Sequence, residues 1–350
     1  MYTGTGNGTV EGSLKSWQDR EILRTMRNGK GARNEAFFQS KRAGSTALSL
    51  NTQFRAARET GCLNLSSRHL QQIPSEIFCL DAHVEEGEKF WEVYPLSKVD
   101  LSYNEISHLN QEFSQLVDLT SLKVRANRVS TLPSFILGPK LRHLDLSSNA
   151  ISVCESSISG YLDLQECFLQ DNSIDTFPSC VLSARDLLVL DLSNNRITEV
   201  PDDICHLRCL TRLSMNGNKL EALPQAFGMT LGGLVTLDLR KNQLTSLPPL
   251  TGLTSLQVVD LGENSLSHFP LFSPQSVLSI LHLDCNRIVS MDGAALAVLS
   301  GLCELHVHDN KLSALCPEVS ALRRLKVLDV SNNDIGDLPA SLGYMESLQR

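Results

Sequence analysis

The stretch Leu190-Asp-Leu-Ser-Asn-Asn195-Arg-Ile197-Thr-Glu-Val200-Pro201 decides the fold, because its pattern, L-x-L-x-x-N-x-L-x-x-L-P, returns from about residue 62 to the end of the chain. The recurring Asn positions are Asn104, Asn127, Asn149, Asn172, Asn195, Asn218, Asn242, Asn264, Asn286, Asn310 and Asn333, spaced 22 to 24 residues apart. Arg68 holds the same slot in an earlier unit, Leu63-Asn-Leu-Ser-Ser-Arg-His-Leu70, which makes twelve units with an atypical first. Internal repetition at this period means a solenoid of stacked coils.

Every unit keeps its apolar slots. Five before the Asn stand Leu63, Val99, Leu122, Leu144, Cys167, Leu190, Leu213, Leu237, Val259, Leu281, Leu305 and Leu328, and the residues three before, two after and five after are apolar in all twelve units. The L-x-L segment has the period of two of a strand, with both apolar residues inward and the intervening ones outward. The Asn amide carries donors and an acceptor. A file of them can satisfy main-chain groups that the turn would otherwise strand inside. Pro follows the next apolar slot in eight of the twelve units and stiffens the outer segment, where no ladder hydrogen bond is needed. A coil cannot bury its apolar face alone, so coils stack, and twelve strands at about 4.8 Å make a parallel sheet roughly 55 Å long. Repeats of this length leave room outside for 3-10 turns or single helical turns. The expected class is α/β: a leucine-rich-repeat horseshoe with a concave parallel sheet and short convex segments.

The pattern resembles the leucine-rich-repeat family. The segment Ala56–Leu70, a Phe90-Trp91-Glu92 insertion and the LP-type repeats resemble the intracellular LP-type branch that includes leucine-rich repeat-containing protein 40. That resemblance implies an intracellular, non-enzymatic binding protein, and it implies further repeats beyond those in this sequence.

Residues 1–50 read as a mostly disordered basic leader, Gly/Thr-rich over 1–12, with a helix over 13–29 that folds on binding as the alternative to an unstructured tail. Residues 51–61 read as a capping helix with Asn51 as N-cap and Gly61 as its stop. Residues 62–350 form the solenoid. The insertion around Phe90 and Trp91 is expected to pack back on its own domain. Leu348-Gln-Arg350 starts a thirteenth coil and brings no cap of its own.

Charge is uneven. The chain carries 31 Lys and Arg against 39 Asp and Glu, a net −8, but residues 1–60 hold ten basic against five acidic residues. The acidic body disfavours a phosphate backbone and favours a protein partner with a basic surface. No apolar run is long enough to span a membrane, and no leader-like apolar segment follows Met1. Ten scattered cysteines, some in leucine slots, read as reduced core residues. These features place the chain in the cytoplasm, with the nucleus second.

The outward position four before each Asn reads Asp100, Lys123, Asp145, Phe168, Asp191, Ser214, Asp238, Asp260, His282, His306 and Asp329, an acidic stripe that is either a track for a basic partner or a by-product of L-D-L-S-N-N repeats. Strand alternation gathers Asp260, His282, Asp284, His306 and His308 on one face. Such groups suit a polar contact patch that gains charge near neutral pH, and less well a metal site, because an open sheet closes a tetrahedron poorly. Arg125, Arg212, Arg240 and Lys241 interrupt the acid, and Tyr103 and Phe168 are aromatic outward residues suited to anchoring a partner. No catalytic motif is recognisable, and no cofactor is expected. The reading is a protein–protein interaction scaffold; the alternative is the targeting or regulatory module of a larger phosphatase, kinase or ubiquitin-ligase system.

Overall fold

The computed structural model describes residues 49–80, 94–132, 140–154 and 162–349. The basic leader and the Phe90-Trp91 insertion lie outside the described residues. In the body that begins at Leu50, the repeats give twelve three-residue strands in one parallel sheet. They are β1 (Cys62–Asn64), β2 (Lys98–Asp100), β3 (Ser121–Lys123), β5 (His143–Asp145), β7 (Glu166–Phe168), β8 (Val189–Asp191), β9 (Arg212–Ser214), β10 (Thr236–Asp238), β11 (Val258–Asp260), β12 (Ile280–His282), β13 (Glu304–His306) and β14 (Val327–Asp329). Two further short strands, β4 (Thr131–Leu132) and β6 (Val153–Cys154), pair with each other in a separate parallel sheet.

Strand order follows chain order without a crossover, and the register is the repeat itself. Leu237 stands between Leu213 and Val259, and Asp238 between Ser214 and Asp260. The slot five before each Asn is fully buried from β2 through β13, as is the slot three before it, so the core is one continuous column of aliphatic side chains. Cys167 and Cys180 are buried members of it.

The eleven asparagines stand in single file. Each Nδ2 donates to the carbonyl three residues back in its own coil and to the equivalent carbonyl of the preceding coil, at 2.8–3.1 Å. Each Oδ1 accepts a backbone N–H of the preceding coil at 2.9–3.1 Å. One side chain per coil thus serves three main-chain groups of the turn. The residue just before each Asn pivots the turn with a left-handed φ of 52–66°, from Tyr103 to Asn332. Gly217 occupies that slot once, and there a Cβ would stand 2.4 Å from Asn194 Oδ1.

Outside the sheet run 3-10 turns, Ser75–Phe78, Gln111–Gln115, Ser179–Ser183, Asp202–His206, Pro317–Ala321 and Ala340–Tyr344, and two one-turn helices, Phe227–Thr230 and Gly293–Ala297. Pro74, Pro178, Pro201 and Pro339 each sit immediately before such a turn in extended conformation, a position where the missing N–H costs nothing. Ahead of β1 the helix Leu50–Thr60 lays Phe54 and Ala57 on the first coil. It begins before Asn51, so that residue lies inside the helix and not at its N-cap; Gly61 follows it with φ +66°.

Candidate functional site

The outward strand residues form rows because the register is exact. Cα pairing runs Asn64, Asp100, Lys123, Asp145, Phe168, Asp191, Ser214, Asp238, Asp260, His282, His306, Asp329 across the sheet without a slip. The acid stripe therefore exists as a stripe. It also has local work. Asp100, Asp145, Asp191, Asp238, Asp260 and Asp329 each accept the backbone N–H two residues on, at 2.9–3.1 Å. One carboxylate oxygen of each is spent on the turn that leads to the ladder Asn, and the other faces outward or toward a neighbour.

Burial makes three of them, Asp191, Asp238 and Asp260, costly as anions. Burial, with Asp260 alongside, pushes Asp238 up to about 6. Burial likewise raises Asp191 and Asp260. Dehydration outweighs the turn hydrogen bonds at all three, a case of desolvation dominating a pKa.

Arg240 interrupts the acid as expected, and the acidic groups it meets are the chain's own. Its guanidinium takes Asp284 bidentately, Nη1–Oδ1 3.2 Å and Nη2–Oδ2 2.8 Å, and takes Glu263 Oε1 through Nε at 3.1 Å and Nη2 at 2.7 Å. Asp260 Oδ1 stands 3.5 Å from Nη1. Burial opposes the charge of Arg240, but the hydrogen bonds it donates to Asp284 and the fields of Asp260 and Asp284 outweigh it and raise its pKa. Asp284 lies two coils away from Arg240, and between them, in the same row, is Gly262. A Cβ on Gly262 would stand 2.4 Å from Arg240 Nη1 and 2.9 Å from Asp284 Oδ1. Glycine opens the lane along which the arginine crosses.

The histidines gather as their spacing requires. His282 and His306 stack with ring centroids 4.5 Å apart and planes 9° apart, and His308 meets His306 edge-on at 6.4 Å. His308 Nε2 lies 3.9 Å from Asp284 Oδ2, and its Nδ1 lies 3.5 Å from Asp329 Oδ2. The expectation that the patch charges near neutral pH is corrected for His282. Burial first, and then the neighbouring His306, push it down to about 4, so it is neutral at physiological pH.

The remaining named residues scatter. Arg125 is exposed on its own coil. Tyr103 is not an outward strand residue; it is the left-handed pivot three residues past the end of β2, with φ 59°, and it is 54% exposed. Phe168 is half-buried, its ring tilted against His143 at 5.4 Å. His143 itself was missed. Its Nδ1 lies 2.7 Å from Glu166 Oε2, across neighbouring strands in register. That hydrogen bond, the largest influence, holds the Glu166 carboxyl below the usual carboxylate range. The signal was available: both residues occupy the slot six before an Asn, one repeat apart, a row left unread.

Comparisons agree with the geometry. Leucine-rich-repeat family models match residues 139–153, 163–220, 233–271 and 276–335. Podocan-like protein 1 of Mus musculus is 28% identical over 92% of this chain and 61% of its own length. Leucine-rich repeat serine/threonine-protein kinase 1 of the same organism is 27% identical over 80% of this chain and 15% of its own length. The chain thus spans between 13% and 61% of the length of the first curated relatives it matches. Among solved structures, an LRR protein of Leptospira interrogans superposes with a TM-score of 0.68 at 28% identity, covering 86% of each chain. No described helix is long and apolar enough to cross a membrane. Repeat pattern, asparagine file, parallel sheet and family models converge, and the chain is a leucine-rich-repeat protein.

Proposed function

We propose that this chain is a non-catalytic protein-binding scaffold that grips a partner with a basic surface on its sheet face, inside the cell. The observation that carries the reading is the dehydrated, mutually repelling row Asp191, Asp238, Asp260. Burial raises the cost of charge on these carboxylates, and a partner Lys or Arg laid along the row relieves it. The same repulsion turns away nucleic acid. Phe168 and the exposed Tyr103 and Arg125 lie toward the amino end of the face, where they add an aromatic and cationic anchor region beside the acid. Thiols used as core aliphatics, such as Cys167 and Cys180, suit a reducing compartment.

The test is capture from cell extract with the chain and with the triple variant Asp191→Asn, Asp238→Asn, Asp260→Asn. Asn keeps the oxygen that accepts the turn N–H, so the coils stay folded while the charge goes. Basic-surfaced partners should be recovered by the parent and lost by the variant. Equal recovery by both removes the row as the binding determinant.

A second reading is that the coils target or regulate a larger phosphatase, kinase or ubiquitin-ligase system. The match to a 15% stretch of a named protein kinase favours it. Under that reading the same face binds, and chemistry resides elsewhere.

A further inference from the structure

At the carboxyl end of the sheet, the structure offers something the partner reading does not use. His306 ends β13 and His308 follows two residues on, so the two share a face, and Asp329 is the register partner of His306 on the next strand. One ligand-capable atom from each of the three lies within 4.8 Å of the others. His308 Nδ1 is shut off from solvent and makes no hydrogen bond, although Asp329 Oδ2 is only 3.5 Å away. A buried imidazole nitrogen without a partner is unusual and calls for a reason.

We propose that His306, His308 and Asp329 form a three-ligand site for a divalent transition ion of the zinc class, with its fourth position open toward solvent or a partner.

The chemistry of the donors fits. Two imidazoles and one carboxylate are a usual zinc set, and three protein ligands with one open position need no closed cage, so a flat sheet suffices. Ligand atoms bonded at about 2.0–2.2 Å stand about 3.3–3.6 Å apart at tetrahedral angles, a range that includes the 3.5 Å between His308 Nδ1 and Asp329 Oδ2. Asp329 is divided for the purpose. Its Oδ1 accepts from Ser331 N and Oγ, which fixes the carboxylate and leaves Oδ2 toward His308.

Carboxylates also stand behind the site. The second nitrogen of His308 faces Asp284 Oδ2 and Asp309 Oδ2, each at 3.9 Å. Asp284 is held bidentately by Arg240, which reaches it past Gly262. The stacked ring of His282 fixes the plane of His306. At 3.9 Å these carboxylates make no hydrogen bond to His308, but their negative field favours a cation bound beside it.

A competing trio, Asp284, Cys285 and His308, has similar spacing. It is the weaker set. Both Asp284 oxygens are committed to Arg240, and the Cys285 thiol is raised by its surroundings, which disfavours the thiolate a metal needs.

This inference is separable from the partner reading, since it is measured on the chain alone. The untagged full chain, stripped with chelator, is titrated with Co²⁺ under visible absorption, followed by competition with Zn²⁺. The expected result is one tight equivalent that Zn²⁺ displaces, with no thiolate charge-transfer band. Affinity should fall more than about ten-fold in His308→Ala and in Asp329→Asn, and stay unchanged in Cys285→Ser. Asp329→Asn retains the acceptor for Ser331, so a fold defect is not the explanation of its loss, and circular dichroism of each variant checks this. Absence of a stoichiometric site, a thiolate band that vanishes with Cys285→Ser, or undiminished binding by His308→Ala would each overturn the proposal.

Discussion

Two imidazoles on the same sheet face, His143 near the amino end and His308 near the carboxyl end, have been treated differently by their neighbours. Each has one ring nitrogen buried without a hydrogen bond, Nε2 in His143 and Nδ1 in His308. The other nitrogen of His143 closes a 2.7 Å contact with Glu166, and Phe168 tilts against the ring. That arrangement closes one nitrogen in a finished pair and leaves Nε2 unsatisfied. His308 instead stands among Asp284, Asp309 and Asp329 at 3.5–3.9 Å, and none of these contacts is a hydrogen bond. Around it, charge is organised over three coils by one arginine. The amino region is held together pairwise, and the carboxyl region through a network that converges on a poorly satisfied group. Unsatisfied convergence of this kind is where a scaffold is expected to meet a ligand.

The comparison can be broken by mutation, and the network should respond most. Arg240→Ala leaves the carboxylate of Asp284, 3% exposed, without its cation; breaking a buried pair from one side costs about 3 kcal/mol. Hydrogen exchange should show the loss concentrated in the coils of β10 to β12, and Arg240→Ala with Asp284→Asn should recover part of it. Exchange protection unchanged in those coils would mean that the network holds nothing.

Asp238→Asn should stabilise. Because the folded pKa of Asp238, about 6, lies above its ordinary 3.8, the folded state binds the proton more tightly. The ionisation penalty is absent below the ordinary value and grows as pH rises to the folded one. The gain from Asn is then roughly 1–3 kcal/mol above pH 7 and vanishes near pH 4. Denaturation midpoints across that range check the sign. Gly262→Ala should cost about 1–2 kcal/mol, because the methyl must push Arg240 off its lane. Its effect should disappear in an Arg240→Ala background, which a double-mutant cycle measures.

The smallest effect belongs to the finished pair. Glu166 is almost half exposed, so Glu166→Gln should cost less than about 1 kcal/mol. Its folded pKa is depressed, so the contribution is present above the ordinary carboxylate value of 4.5 and is lost as pH falls through the lowered one. A Glu166→Gln penalty as large as that of Arg240→Ala would erase the distinction between the two regions.

What the sequence made legible was whatever repeats. Asn218 and its ten equivalents do one job in one geometry, so the spacing predicted the file, the column of Leu213, Leu237 and Val259, and the face that carries His282 and His306. Unrepeated features were harder. The acid that Arg240 meets stays hidden because that partner, Asp284, is 44 residues away, and because access to it depends on what Gly262 lacks. His282 reads as a titrating group until burial and the stacked His306 are known to keep it neutral. Tyr103 reads as a strand residue until its left-handed φ places it on the pivot. Each miss concerns a side chain whose environment is set by coils on either side, which local pattern does not encode.

The central claim is that the sheet face, and not the convex side, meets the partner. Carbodiimide labelling of carboxylates, read by mass spectrometry with the chain free and with its captured partner bound, tests it directly. The account predicts protection at Asp238 and Asp260, with the exposed outer acids Asp202, Asp203 and Glu318 labelled equally in both states. Protection confined to those outer acids, with the sheet row unchanged, would contradict it.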